Sequence, residues 1–387
     1  DECFGLYRNG EFIYDRIPAN ANGTWNFNSN LAGLNINYAH IYSGGQTLDS
    51  ICPDNLKVRL EKREAKIKAF INAAVNSKVK IDEQCMFEIV PEQHLMHYCE
   101  IKNQICEWVF ANYEKPDNHQ HIVDLYEMAS DISKHPVLID HNVLKKHAKC
   151  DPKASSLLNF LGGKNKPICY EVWGSVTGRL TTKPGSFPIM NLKKELADCV
   201  IPKNNLFVQF DLNGAEIRTL LSLSTGTHPQ EDIHDFNLNS VYRGFGTRDK
   251  AKKRFFAWLY NPNSEDYLTS RAYDRDSILT SYYRGGCVHT PFGREIEADD
   301  FHALNYLLQS SSSDNCLHQV NIIHRFLRDK KSKLAFAVHD SIVIDLDHGE
   351  RNLLPQIREL FADTKLGKFK VGVKIGKNMG KLKEFSW

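Results

Sequence analysis

Arg248, Lys252, Phe256 and Tyr260 recur at every fourth position. On a helix each step of four adds about 400°, so the set drifts only about 40° per step and shares one face. That face carries two cations, then a flat ring, then an aromatic hydroxyl. A nucleoside triphosphate has the same layout, with anionic phosphates, a sugar and a base with a π-face. Taken alone, the pattern also describes a basic amphipathic surface helix. Two acidic strand motifs, one on each side of this helix, favour the substrate.

The first runs from Leu206 to Arg218. Leu206, Val208, Phe210 and Leu212 alternate as in a strand. Asp211 stands at the strand's end, Gly214 permits a turn, and Glu216, Ile217 and Arg218 enter a helical pattern. The second runs from Leu334 to Leu346. Two apolar β-rich runs flank His339-Asp340-Ser341, which reads as a tight hairpin with an acid at its tip. If these strands are neighbours, Asp211 and Asp340 can share a pair of divalent ions, an arrangement that stabilises the attacking and leaving oxygens of phosphoryl transfer. Mg²⁺ suits such a pair because it binds through one or two carboxylates plus substrate phosphates, with Mn²⁺ as a substitute. The competing reading is a turn Asp and a helix-capping Asp.

Five ordered segments resemble the motifs of family A DNA polymerases, the bacterial DNA polymerase I type. Thr177 to Thr182 resembles TGRLSS. Asp211 to Arg218 resembles DxSxIExR. Arg248 to Tyr260 resembles the fingers helix RxxxKxxxFxxxYG. Asn305, Gln309 and Asp314 resemble NxPxQGTAAD, and His339-Asp340 resembles HDE. Thr290 to Arg294 also fits a TxxGRR hairpin. The likeness spans roughly residues 170 to 387. Asn213-Gly214, Asn261, Ser310 to Ser313 and Ser341 depart from the family's residues. The chain reads as a phage or viral-like, or truncated, member.

The resemblance implies roles. Asp211 and Asp340 would hold two Mg²⁺ ions, helped by the Leu212 carbonyl. Arg248 and Lys252 would neutralise the triphosphate, with Lys252 counted among the catalytic groups. Phe256 would pack on the sugar and Tyr260 near the base. Glu216 would exclude a ribose 2′-OH. Arg179 and Gln309 would reach the minor groove at the primer end, Asn305 the same duplex, and His339 the primer terminus. The expected partners are primer-template DNA, dNTPs and a processivity or replisome protein.

The implied fold is α+β: a right-hand polymerase core of palm, fingers and short thumb behind an N-terminal degenerate exonuclease-like domain of ribonuclease H-like α/β type. The expected boundaries are 1–110 for the exonuclease-like domain, 111–170 for a reduced thumb or connector, 171–220 for the first part of the palm, 221–284 for the fingers and 285–387 for the rest of the palm. In the first region Asn9-Gly10 between apolar runs signals a hairpin. Helical spacing follows near 57–78 and 92–114. Ala39 and Lys102 stand where the exonuclease resemblance expects acids, so proofreading is not expected. In the second region the little chain available for a thumb implies weak grip on duplex.

Composition fits this reading without deciding it. The chain has 387 residues, 42% hydrophobic and 25% charged, with a net charge of +2. Any hold on nucleic acid must then come from local patches such as Arg248, Lys250, Lys252, Lys253 and Arg254. Ten cysteines without a CxxC pair argue against a zinc site and fit reduced thiols in a cytoplasmic compartment. No apolar run reaches membrane-spanning length. With no signal peptide and no initiator Met, the chain reads as a trimmed or excised piece. Two other functions share much of this pattern. A single-subunit RNA polymerase also uses His-Asp-Ser, although Glu216 followed by Ile217-Arg218 argues for DNA. A non-catalytic nucleic-acid-binding remnant would retain the motifs without the chemistry.

Overall fold

The computed structural model describes residues 6–8, 11–13, 43, 46, 50–79, 86–226, 228, 229, 231–261 and 263–385. The chain divides into two compact units, Asp1–Val123 and Asp124–Trp387.

In the first unit β1 (Leu6–Arg8) and β2 (Glu11–Ile13), the runs flanking Asn9-Gly10, pair antiparallel. Helices α1 (Asp54–Asn76), α2 (Met86–Ile89) and α3 (Glu92–Asn112) follow. Pro53 and Pro91 precede α1 and α3, where a fixed φ and a missing N–H cost the helix nothing. Leu56, Leu60 and Ile67 of α1 and Leu95, Ile105 and Val109 of α3 are buried in two small apolar clusters. Among the described residues the strands of this unit are β1 and β2 alone, so the expected exonuclease-like sheet is not among them. Ala39 lies outside the described residues. Lys102 is on α3, with its Nζ 4.0 Å from Glu64.

Helix α4 (His119–Ser133) carries the chain into the second unit. Then come β3 (Leu138–Ile139), α5 (His141–Ala148) and α6 (Pro152–Leu161). Asp140 and Asp151 cap α5 and α6 by accepting backbone N–H groups. The segment read as a thumb does not stand apart. Leu125, Met128, Leu144, Leu157 and Leu161 belong to the same buried cluster as the main sheet. The loop after α6 is tied back by Ile139 N donating to Asn165 Oδ1 at 3.2 Å and Val137 N to Lys166 O at 3.0 Å.

Short strands β4 (Tyr170–Glu171), β5 (Thr181–Thr182) and β6 (Val200–Ile201) lead to β7 (Leu206–Leu212) and α7 (Ala215–Ser224). The stretch that follows is helical: α8 (Ile233–Phe236), α9 (Arg248–Tyr260), α10 (Tyr267–Ala272) and α11 (Arg275–Tyr282). A small sheet of β8 (Tyr283–Arg284), β9 (Cys287–His289) and β10 (Glu295–Glu297) precedes the long helix α12 (Ala303–Phe326). The chain ends with β11 (Lys333–Val338), β12 (Ser341–Leu346), α13 (Leu354–Ala362), β13 (Asp363–Thr364), β14 (Gly367–Lys368), β15 (Val371–Gly376) and β16 (Lys383–Glu384). Strand β16 pairs with β15 on its outer side.

The main sheet has the antiparallel order β11-β12-β7-β15-β16. Strand β7 is central. Val208, Phe210 and Leu212 are buried as the alternation predicts, and so is Phe207 on the other face, where its ring meets Phe336 of β11 edge-on at 5.8 Å. A second apolar cluster holds Ile217, Leu220, Phe255, Trp258 and Tyr273. Helix α12 belongs to both clusters. Ala303, Leu304, Leu307 and Leu308 lie in the second, and Cys316, Leu317, Val320 and Ile323 in the first. Between them Ser310 to Ser313 are buried, and the Oγ atoms of Ser310, Ser311 and Ser312 have no hydrogen-bond partner.

Candidate active site

Asp211 and Asp340 meet at the end of the central strand pair. Ser341 pairs with Asp211 across β12 and β7, and Leu212 N donates to the Asp340 carbonyl at 3.1 Å. Neighbouring strands run about 4.8 Å apart, so both carboxylates stand at one end of the inner strands β7 and β12. The turn that presents Asp340 depends on His339, whose φ of 52° is left-handed. His is among the side chains that visit this region more readily than most. Burial, then the Glu216 and Asp211 charges, push the Asp340 carboxyl up to about 6, against the pull of Arg179. Burial also raises Asp211, partly offset by Lys374 and Lys252. At both acids burial outweighs the nearby cations and disfavours the charged form.

Ser341 does not replace the glutamate it stands for. Its Oγ donates to Val338 O at 2.9 Å and accepts from Gln209 Nε2 at 3.1 Å, so it faces the sheet. Among the described residues no group of three or more His, Cys, Asp and Glu side chains is gathered as a metal site. The donor set at the strand ends is two hard carboxylates. That set fits Mg²⁺, which completes its shell with water and substrate oxygens, and it does not fit zinc.

Glu216, in the first turn of α7, joins three expected site residues into one network. Its carboxylate accepts from Arg179 Nη2 at 2.6 Å and from the Tyr260 hydroxyl. Arg179 Nη1 also donates to Gln309 Oε1 at 3.1 Å. Burial and the Glu216 charge push the Tyr260 phenol upward, which keeps it a neutral donor. A cleft of about 360 Å³ opens beside this network, lined by Thr177, Arg179, Gln309, Ser313, His339 and Asp340. Asn305 lies one turn before Gln309 on α12 and is half-buried.

Helix α9 buries Ala251, Phe255, Trp258 and Leu259, while Phe256 and Tyr260 are half-buried against the same apolar cluster. Lys252 is exposed, and its charge reaches Asp211. Phe256 and Tyr260 stack at 5.6 Å with planes 15° apart. Arg248 is not free. It donates to Asp232 at 2.8 and 3.1 Å and lies 3.9 Å from Asp235 and Asp249. His234 tilts against Phe256 at 6.2 Å, and burial with Lys252 and Arg248 holds its ring down to about 4, so it is neutral at pH 7.

Two departures from the family's residues have physical reasons. Asn213 Oδ1 accepts from Ile233 N at 3.1 Å and its Nδ2 donates to Asp232 at 2.7 Å, which fastens the strand end to α8. Gly214 has φ 57°, and a Cβ there would lie 2.2 Å from Ile233 Cγ2. Arg218, expected only as part of a motif, is fully buried. It donates to the carbonyls of Asn213, Pro229 and Glu231 at 2.7 to 2.8 Å, so it staples a loop.

Arg294 and Asp314 form a lock that single-sequence reading missed. Arg294 Nε donates to Asp314 Oδ2 at 3.0 Å, and its guanidinium lies 4.4 Å from the Trp173 ring centre. Both residues fall in quoted motifs, but no spacing rule pairs them. The guanidinium also presses on Gly178, where φ is 73° and a Cβ would sit 2.6 Å from Arg294 Nη2. The backbone that carries Arg179 is thereby fixed. Gly178→Ala is expected to cost about 1–3 kcal/mol from backbone strain and the displaced guanidinium. Denaturant titration checks this. In an Arg294→Ala background the cost should shrink toward the strain alone, because the clashing partner is gone.

The fold is that of a polymerase domain. The chain is similar to the POL domain of Pol1 from M. smegmatis, solved in complex with DNA primer-template and dNTP, with a TM-score of 0.58 and 12% identity over 74% of this chain and 75% of that one. No protein-family model and no curated protein sequence matches. Among the described residues no helix is long and apolar enough to cross a membrane.

Proposed function

We propose that this chain is a template-directed DNA polymerase of the family A type, extending a primer 3′ end with deoxynucleotides. One observation carries the reading: on a polymerase-domain fold, Asp211 and Asp340 stand together at one end of β7 and β12, with Asp211 within electrostatic reach of Lys252. Mg²⁺ bound at these two acids would supply charge neutralisation and in-line alignment for phosphoryl transfer. The chain's own groups do the positioning, on which catalysis of this kind mainly depends. Lys252 faces the triphosphate. Arg248 joins it by exchanging Asp232 for phosphate. The Phe256 and Tyr260 rings form a flat wall for sugar and base. Glu216 closes the space beside the sugar, while Arg179 and Gln309 line the cleft for the primer end.

The test is primer extension with Mg²⁺ and either dNTPs or rNTPs. Template-dependent extension with dNTPs is the expected result. Extension with rNTPs alone would make this an RNA polymerase. No extension with either, together with retained DNA binding, would make it a non-catalytic binding protein.

A further inference from the structure

We infer that helix α1 of the first unit carries a second nucleic-acid contact, a phosphodiester-binding face separate from the polymerase cleft. Arg59, Lys62, Arg63 and Lys66 recur at helical spacing. At 100° per residue they fall within about 100° of arc. Asp54, Glu61 and Glu64, the acids of the same helix, project to other sides, as do Lys57 and Lys68. The face is therefore purely cationic, unlike the mixed charges of an ordinary solvated helix.

The packing of α3 against α1 turns that face into a recess of about 180 Å³, lined by the four cations with His97 and Ile101. Arg59 Nη1 is steadied by Gln104 Oε1 at 3.3 Å. Lys62, Arg63 and Lys66 have no carboxylate partner among the described residues. His97 Nδ1 is buried there with no hydrogen-bond partner. A concave site with four cations and an unmatched ring nitrogen calls for an anion rich in acceptors.

The layout favours a polyanion over a single small ion. From Arg59 to Lys66 the helix rises about 10 Å. A nucleic-acid strand advances about 3.4 Å per phosphate, so the row spans roughly three phosphates. Among the described residues no Phe, Tyr or Trp side chain lines the recess, so contact is with the backbone and is indifferent to sequence. The chain's net charge of only +2 makes such a local patch the means by which this unit would hold DNA.

The inference does not depend on catalysis, and its test is run without nucleotides. Binding of a fluorescent primer-template to the full chain is measured by anisotropy across a salt series. Three proteins are compared: the parent, Lys62→Gln/Lys66→Gln, and Lys57→Gln/Lys68→Gln. All four positions are exposed, and both variants lose the same charge from the same helix. The Lys62/Lys66 variant is expected to bind ~10-fold more weakly at low salt, and its log–log salt slope should fall by about 2, one unit per lost phosphate contact. The Lys57/Lys68 variant should match the parent. Equal losses in both variants, or no loss in either, would overturn the inference. So would unchanged DNA binding alongside lost binding to anionic lipid vesicles, which would assign the patch to a membrane surface. Extension at saturating primer-template, measured separately, should be the same in all three proteins, so failure of this inference leaves the polymerase proposal standing.

Discussion

Alanine in place of Asp211 or Asp340 is expected to lower nucleotide incorporation at least ~10³-fold. Charge stabilisation by metal ions contributes several kcal/mol at a phosphoryl-transfer transition state, and each 1.36 kcal/mol is tenfold in rate. Among the described residues these two are the acids at the tips of β7 and the β11–β12 hairpin, and Glu216, whose charge reaches Asp340, is held by Arg179 and Tyr260. The fold should not suffer. Neither side chain makes a hydrogen bond that the sheet needs, and burial disfavours the charged form of both. Denaturation midpoints of both variants are therefore expected at or above the parent's, the pattern of a site that trades stability for function. Single-turnover incorporation and denaturant titration on the same samples check both halves. Incorporation within tenfold of the parent by either variant would remove the two-carboxylate mechanism.

Glu216→Ala is expected to relax discrimination against ribonucleotides by ~10-fold or more, because removing the carboxylate opens space beside the sugar and takes away a polar group that a 2′-OH would have to meet. The structure adds a second effect. Glu216 holds both Arg179 and Tyr260, so the alanine variant should also lose about 1–3 kcal/mol, the worth of hydrogen bonds to a charged group. Glu216→Gln separates the two effects. It keeps the volume and an acceptor, so sugar selection should persist while the ion pair with Arg179 weakens. Competition between dNTP and rNTP at one template position is the measurement. If the alanine variant loses stability but keeps its sugar preference, Glu216 is only a strut between the loop and the helices.

Local patterns carried most of what could be read from the residues. The face made by Arg248, Lys252, Phe256 and Tyr260 was visible because helix periodicity is local, and α9 runs from Arg248 to Tyr260 with Lys252 exposed and Phe256 and Tyr260 half-buried beside the second cluster. The β7 strand and the His339-Asp340 turn were visible for the same reason. Contacts set by tertiary packing were not. The capture of Arg248 by Asp232, the Arg294–Asp314 lock and the Arg179–Glu216 pair each join distant segments, and no spacing along the chain encodes them. The packing of residues 141–161, within the stretch read as a reduced thumb or connector, was not legible from spacing either. Its buried leucines, Leu144, Leu157 and Leu161, decide where it packs.

Helix α12 ties the fates of the two apolar clusters together. Its first turns are clamped in one and its last turns in the other, so neither can melt without stripping apolar cover from half of a shared rod. The four serines between them contribute little apolar burial and are poor helix formers. Their hydroxyls present small, smooth surfaces where branched side chains would have interlocked. A load on one cluster would thus reach the other through the rod, and the Arg294–Asp314 pair beside this polar waist supplies the hold that the serines do not.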